Sequence, residues 1–377
     1  MSTHPFRSYV SISRSQIAAN FRNVREAVGA NVIVCGVVKA DAYGHGAVEV
    51  ARVIEKEGAS WLAVSSVEEG VTLRRAGLSS RILVMAGFQR YETEALLEFD
   101  LTPAAHSLED IAELDQLSAA QGKQIRYHLK IDSGMGRLGT SASPERIVAA
   151  IRAAANTRCE GLMTHFASAA DYGSLQTDNQ AAAFQHVIAF LKQSGIALDF
   201  HHASSSNAVA FGRRDAWYNM VRPGHAMYGY LSPARGDAPH RILQVKPALE
   251  WKSKILLVKD VPEGALLGYG GSFRAPRPMR IGVLAIGYAD GLPHRLSNKG
   301  KILAAGKPAA ILGTVSMDLT TIDLSHTQAL GPGDEVTILG QEGDAKLDAQ
   351  QIARLAGTIS YNILCGISAR VRRVYVD

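Results

Sequence analysis

Cysteine is scarce in this chain: Cys35, Cys159 and Cys365 are three among 377 residues, and they lack metal-ligand spacing. An odd, scattered set argues against a disulfide framework and fits a reducing compartment; no metal site is expected. Long basic tracts are missing too. The formal net charge is +5, from 40 Lys+Arg against 35 Asp+Glu, and no basic run exceeds the pairs Arg74-Arg75, Arg213-Arg214 and Arg372-Arg373. A nucleic-acid partner is therefore not indicated. The longest apolar stretch, around Ile281 to Ala289, is too short to span a bilayer. Met1 to Arg14 carries neither an apolar h-region nor a cleavage-site pattern, so a cytoplasmic protein without a membrane partner is expected. Internal repeats and low-complexity segments are absent. No G-x-G-x-x-G opens a helix, which weighs against a doubly wound dinucleotide fold.

What the chain does have is regular alternation. Ser13-Arg-Ser-Gln16 is a capping-box pattern, followed by apolar Ile17, Phe21, Val24 and Val28, which predicts an amphipathic helix. Strand-like runs follow at Val32–Val38, Trp61–Val64, Ile82–Met85, Leu101–Ala105, Ile125–Ile131, Leu162–His165, Phe200–Ala203 and Met220–Arg222. Helical patterns lie between most of them, one with Ser143 at the N-cap and Pro144 at the first helical position. Eight such βα units predict a parallel (β/α)8 barrel over residues 9–243. After Pro247 short strand-like segments separated by Gly- and Pro-rich turns replace the alternation, and helical periodicity returns only at Ala349–Ala356. Residues 244–377 are read as a second, mostly β domain, with residues 1–8 joining it.

The segment Val32 to Gly46, V-I-V-C-G-V-V-K-A-D-A-Y-G-H-G, organises the chemistry. A buried parallel strand ends on Lys39 and passes through a turn into a helix. A lysine at the C-terminal lip of such a strand is partly desolvated, which frees its amine for a Schiff base. The alternative is a lysine that only snorkels out of a strand end. Other polar residues fall after the remaining strands: Lys130 and Arg137 after the fifth, His165 at the sixth, Ser204, Ser205 and Ser206 after the seventh, and Arg222-Pro-Gly-His225 after the eighth. Loops after the last two strands are the usual phosphate site of a barrel. A reactive lysine opposite a phosphate cradle is the combination that pyridoxal 5′-phosphate requires.

At V-V-K-A-D-A-Y-G-H-G the chain resembles the alanine racemase family, pyridoxal-phosphate enzymes of fold type III. The resemblance continues through H-L-K-I-D-S-G-M-G-R-L-G, G-L-M-T-H-F, N-M-V-R-P-G, L-G-Y-G-G-S-F, G-Y-A-D-G, S-M-D and I-S-Y-N-I-L-C-G-I-S-A-R, nearly the whole length. It implies racemisation of L- and D-alanine by two bases in a homodimer with shared active sites. Lys39 would hold the cofactor and act as one base. Tyr269 of the partner subunit would be the opposing base, in a network with His165 and Arg222. Removing a proton from one face of Cα and returning it to the other needs a base on each side, and a phenol serves only if neighbours stabilise its anion. Arg222 would face the pyridine nitrogen and, always charged, keep it unprotonated.

The resemblance further implies that Tyr43, Ser205, Gly224, His225 and Tyr361 bind the phosphate, Gly224 and His225 through backbone N–H groups. Arg137 would contact the cofactor's phenolic oxygen and the substrate carboxylate, and Met317 of the partner subunit would donate its backbone N–H to that carboxylate. Asp318 would be a gate or structural residue. Lys130 is carbamylated in many family members, which would turn a cation beside Arg137 into an anion able to orient it. Ser204, His225 and Asn362 depart from the usual family residues, without removing an essential group. The alternatives are a racemase of serine or a broader amino-acid range, a fold-type III amino-acid decarboxylase, or a pyridoxal-phosphate carrier made of the barrel alone. Arg222, Tyr269 and the β domain argue against the last two.

Overall fold

The structure, a computed structural model, describes residues 5–377. The chain divides into two compact units. One comprises residues Ile17–Ala42 and Ala47–Lys246, the other the segment ending at Gln16 together with Tyr43–Gly46 and Pro247–Asp377.

In the first unit eight strands are paired in parallel: Ile33–Val37, Trp61–Val64, Arg81–Val84, Leu101–Ala105, Arg126–Lys130, Arg158–Met163, Phe200–His202 and Met220–Val221. From the first to the seventh each pairs with its neighbour in sequence, and the first also pairs with the eighth through Ile33↔Met220 and Val34↔Val221. The seam between the seventh and eighth strands is held by a single bridge, Ser205↔Arg222, so the barrel is nearly closed. The predicted (β/α)8 architecture is what forms. Strands such as Trp61–Val64 are continuous apolar runs because both faces are covered; Trp61, Leu62, Ala63 and Val64 are all buried. The opening helix Arg14–Val28 buries Ile17, Phe21, Val24 and Val28, and Ser13 Oγ accepts the Gln16 N–H at 3.0 Å as its cap. The helix at Pro144–Ala153 begins after Ser143, but the Ser143 hydroxyl makes no capping bond.

The second unit is built on a nine-stranded sheet around the long strand Leu249–Val261. Here the structure moves one boundary. Ser8–Ser13, assigned from sequence to the barrel beyond residue 8, is a strand of this sheet. It lies antiparallel to Leu249–Val261 (Val10↔Trp251) and parallel to the terminal strand Arg372–Val376 (Val10↔Arg373). Of the leading segment 1–8, residues 1–4 lie outside the described residues. The helix Ala349–Ala356 forms where predicted, because Asp348 and Gln351 complete a capping box and Gly357 ends it in a left-handed conformation. A second short helix, Ser360–Cys365, carries Tyr361.

Candidate active site

Lys39 follows the first barrel strand and is partly exposed. The chain then makes an unusual turn: Ala40, Asp41, Ala42 and Tyr43 all have φ between 50° and 55°. Left-handed backbone costs a non-glycine residue about 1–2 kcal/mol, so four in a row need bracing. Glu69 supplies part of it, Oε1 accepting the Ala40 N–H and Oε2 the Ser65 N–H, both at 2.6 Å. Asp41 Oδ1 accepts the Ala47 N–H at 2.7 Å and caps the next helix. Gly44, at φ 81°, approaches the Leu364 carbonyl so closely that a Cβ would lie 2.4 Å from that oxygen. The residues after Lys39 are therefore held by several independent contacts.

Lys130 ends the fifth barrel strand and is buried. Burial, then the charges of Arg222, Arg137 and Lys39, lower its pKa to about 8, and Asp132 is the neighbour that opposes them. The Asp132 carboxylate is itself spent on the loop that follows. Its Oδ1 accepts the N–H groups of Gly134, Met135 and Gly136 at 3.1, 2.9 and 3.1 Å, shaping the approach to the exposed Arg137. His165 lies after the sixth strand. Burial, followed by the cations Arg222, Lys130, Arg137 and Lys39, pushes its pKa down to about 3, so the ring is neutral.

Arg222 is fully enclosed after the eighth strand. Nη1 donates to His202 Nδ1 at 2.7 Å and to the His202 carbonyl at 2.9 Å. Nη2 donates to the carbonyls of Thr164 and Ala203 at 2.6 and 3.2 Å and lies 3.4 Å from His165 Nδ1. Nε is left without a partner among the described residues. A guanidinium only donates, so Nδ1 of His165 is the accepting nitrogen and its proton sits on Nε2. Lys39, Lys130, Arg137, His165 and Arg222 thus act on one another electrostatically at the C-terminal mouth of the barrel.

Of the serines after the seventh strand, Ser204 is buried and donates to the Ala216 carbonyl at 2.7 Å. Ser206 Oγ accepts the N–H groups of Gly224 and Ala226 at 3.1 and 3.0 Å, so in this structure the Gly224 amide is engaged within the chain. Ser205 is half-buried and its hydroxyl makes no bond within the described residues. His225 is buried and stacks on Tyr230 with centroids 5.3 Å apart. In the β unit the rings of Tyr43 and Tyr361 lie 5.9 Å apart, and burial, then Tyr361 and Cys365, push the Tyr43 phenol up, so it is protonated and can donate. Tyr269 is 77% exposed in a turn between Gly268 and Gly270, and Met317 is 52% exposed. Asp318 accepts from Arg370 Nη2 at 2.7 Å.

Family models described as "Alanine racemase, N-terminal domain" and "Alanine racemase, C-terminal domain" match residues 12–232 and 248–375. The chain belongs to the alanine racemase family. An alanine racemase of Halothermothrix orenii is 40% identical over 98% of this chain and 96% of its own. The alanine racemase structure from Clostridium difficile 630 superposes with a TM-score of 0.92 at 32% identity, over 99% of this chain and 96% of that one. That of Bartonella henselae, solved with covalently bound pyridoxal phosphate, gives a TM-score of 0.88 at 26% identity, over 99% of this chain and 100% of that one. Against this alanine racemase background, the residues that sequence reasoning passed over are supporting ones. Glu69 gave only a charged helix position as its signal, and His202 only its place beside Ala203 in a strand run.

Proposed function

We propose that this chain racemises L- and D-alanine with pyridoxal 5′-phosphate, as a cytoplasmic homodimer whose active sites are shared between subunits. The observation that carries the reading is the barrel mouth: Lys39, Lys130, Arg137 and Arg222 gather there with Asp132 as the opposing charge on Lys130. Such a cationic mouth fits a ligand bearing a phosphate, a phenolic oxygen and a carboxylate. Bound there, pyridoxal phosphate supplies the electron sink for the electron pair left when Cα loses its proton.

The remaining work falls to the protein. Lys39 holds the cofactor through its amine and takes the Cα proton of the D-enantiomer, while Tyr269 of the partner subunit takes that of the L-enantiomer. His165, neutral and protonated on Nε2, has a donor to offer the phenolate, and Arg222 adds a nearby positive charge. The Nε–H of Arg222 would be offered to the cofactor ring nitrogen and, unable to give up its proton, would leave that nitrogen unprotonated. Ser205, Tyr43 and Tyr361 donate hydroxyls to the phosphate, with the backbone of Gly224 and His225; Gly224 must first exchange its bond to Ser206 Oγ. Arg137 and the Met317 N–H of the partner subunit orient the substrate carboxylate. Lys130, whose amine loses its proton readily, is poised for carbamylation, and the anion formed pairs with Arg137. Among the described residues no helix is long and apolar enough to cross a membrane.

The test is a racemisation assay of the pyridoxal-phosphate-loaded protein on L-alanine, L-serine and L-lysine side by side. Alanine is expected to be turned over fastest. A decarboxylated amine as the product, or serine or lysine as the better substrate, overturns the assignment.

A further inference from the structure

The inside of the barrel holds a line of polar side chains of which the proposed reaction uses only the first. It starts at Arg222 beside the mouth, whose Nη1 donates to His202 Nδ1 at 2.7 Å. His202 Nε2 lies 2.7 Å from His128 Nδ1, and His128 Nε2 lies 3.4 Å from Glu160 Oε1. That last approach is not aligned as a hydrogen bond, yet His128 Nε2 has no other partner among the described residues. Glu160 also pairs with Arg81, which begins the third strand and lies 4.0 Å over the Trp61 ring. His128, His202, Glu160 and Arg222 are each at most 3% exposed. The barrel is shaped around this line: Phe200 stacks on the His128 ring, and a Cβ at Gly161 would lie 2.7 Å from that ring.

The proton positions follow from the two ends. A guanidinium donates only, so His202 Nδ1 carries the lone pair. A neutral His202 then bears its proton on Nε2, facing His128 Nδ1, which must accept. His128 in turn bears its proton on Nε2, facing a carboxylate that only accepts when ionised. Both rings are neutral: burial holds them below the usual imidazole range, at His128 against the upward pull of the Glu160 carboxylate and with Arg81 and Arg222 adding to it, at His202 with Arg222 adding to it. Burial pushes Glu160 up, but its contacts with His128 and Arg81 outweigh that and hold it ionised.

We propose that Glu160 is a positioning residue for Arg222: its carboxylate selects the Nε2–H tautomer of His128 and His202, so that a lone pair rather than a proton meets the guanidinium. The opposite tautomer would set two N–H groups against each other at the Arg222–His202 contact. The guanidinium would have to turn, and Nε would leave the orientation assigned to it above. The inference rests on the proposed function only for what Nε faces; the tautomers belong to the protein alone.

Nitrogen-15 NMR of the imidazoles, on the cofactor-free and the loaded protein, tests it directly. Both forms of wild type should show neutral Nε2–H rings at 128 and 202 throughout pH 6–9. A protonated ring, or an Nδ1–H tautomer at either position, overturns the proposal without any variant. Glu160→Leu removes the acceptor and should mix the tautomers at His202, with a changed pH dependence of the bound cofactor's absorbance. Its kcat should fall on the order of tenfold while KM for alanine stays within about twofold, as for an interaction made in the transition state. Glu160→Gln, which can still present an oxygen to His128, should restore the wild-type tautomers. If Glu160→Leu keeps wild-type tautomers and spectrum, or if Glu160→Gln fails to restore them, Glu160 does not select them. Should Glu160→Leu fail to fold, the wild-type and Glu160→Gln spectra still decide. Failure to racemise alanine with the wild-type tautomers intact would count against the proposed function alone.

Discussion

At the scale of single residues, the mouth of the barrel is defined by cations forced together. Lys39 is the member that follows the first barrel strand and opens directly into the braced left-handed turn. Borohydride reduction of the loaded protein and peptide mapping should therefore place the pyridoxyl group on Lys39; label on Lys130 would overturn the assignment. Lys130 carries a second prediction. Its pKa in the folded chain, about 8, lies below the ordinary 10.5, so between these values the unfolded chain binds more protons than the folded one. Stability then rises with pH across that window. The destabilising effect of the charged, buried ammonium is complete below pH 8 and is relieved as pH climbs toward 10.5. In carbon-dioxide-free buffer, Lys130→Met should gain stability over wild type at pH 7, and the gain should shrink by pH 9.5 in urea titrations. A gain that stays constant with pH would show that the ammonium is not strained by its surroundings.

At the scale of elements, the turn Ala40–Tyr43 matters more than the strand before it, because strands of this kind recur eight times in the barrel and this turn does not. Glu69 reaches it from the neighbouring helix Val67–Arg75, one oxygen on Ala40 N–H and the other on Ser65 N–H. Glu69→Gln leaves the side chain's NH2 group opposite one of those two donors. Losing one charge-assisted acceptor and stranding its donor should cost about 1–3 kcal/mol. A shift in Lys39 should appear as a kcat loss beyond any fall in melting temperature. A variant with lower melting temperature and unchanged kcat would assign Glu69 to stability only.

At the scale of the whole molecule, the shared site is the consequence to test. Tyr269 and Met317 lie exposed in the β unit, whereas Lys39 belongs to the barrel unit. A two-fold dimer that sets each β unit over the other chain's barrel makes two equivalent sites. Lys39→Ala and Tyr269→Phe should each be inactive alone. Mixed under conditions that exchange subunits, about half the dimers pair one variant with the other and hold one intact site, so roughly a quarter of wild-type activity should return. No recovery, with exchange confirmed by mass spectrometry, would place both bases in one chain.

How far the amino-acid order alone carries can be judged from particular places. The eight βα units, the apolar run that leads to Lys39 and the helix Ala349–Ala356 were all legible, because each is encoded by local periodicity. The residues at the barrel mouth were legible as a set once strand ends could be counted. The strand Ser8–Ser13 is cut by the sequence-based boundary, which puts Tyr9 onward in the barrel, because its partners, at Leu249–Val261 and Arg372–Val376, are more than two hundred residues away. The left-handed turn after Lys39 was hidden because alanine and aspartate give no such signal, and side chains brought in from elsewhere brace it. His128 and His202 read as ordinary strand residues 74 positions apart; only the packing inside the barrel sets their facing nitrogens 2.7 Å from one another and in line with Arg222. Local sequence settles which face of an element must be buried, whereas the polar group that meets a buried donor is chosen by the packing of distant strands.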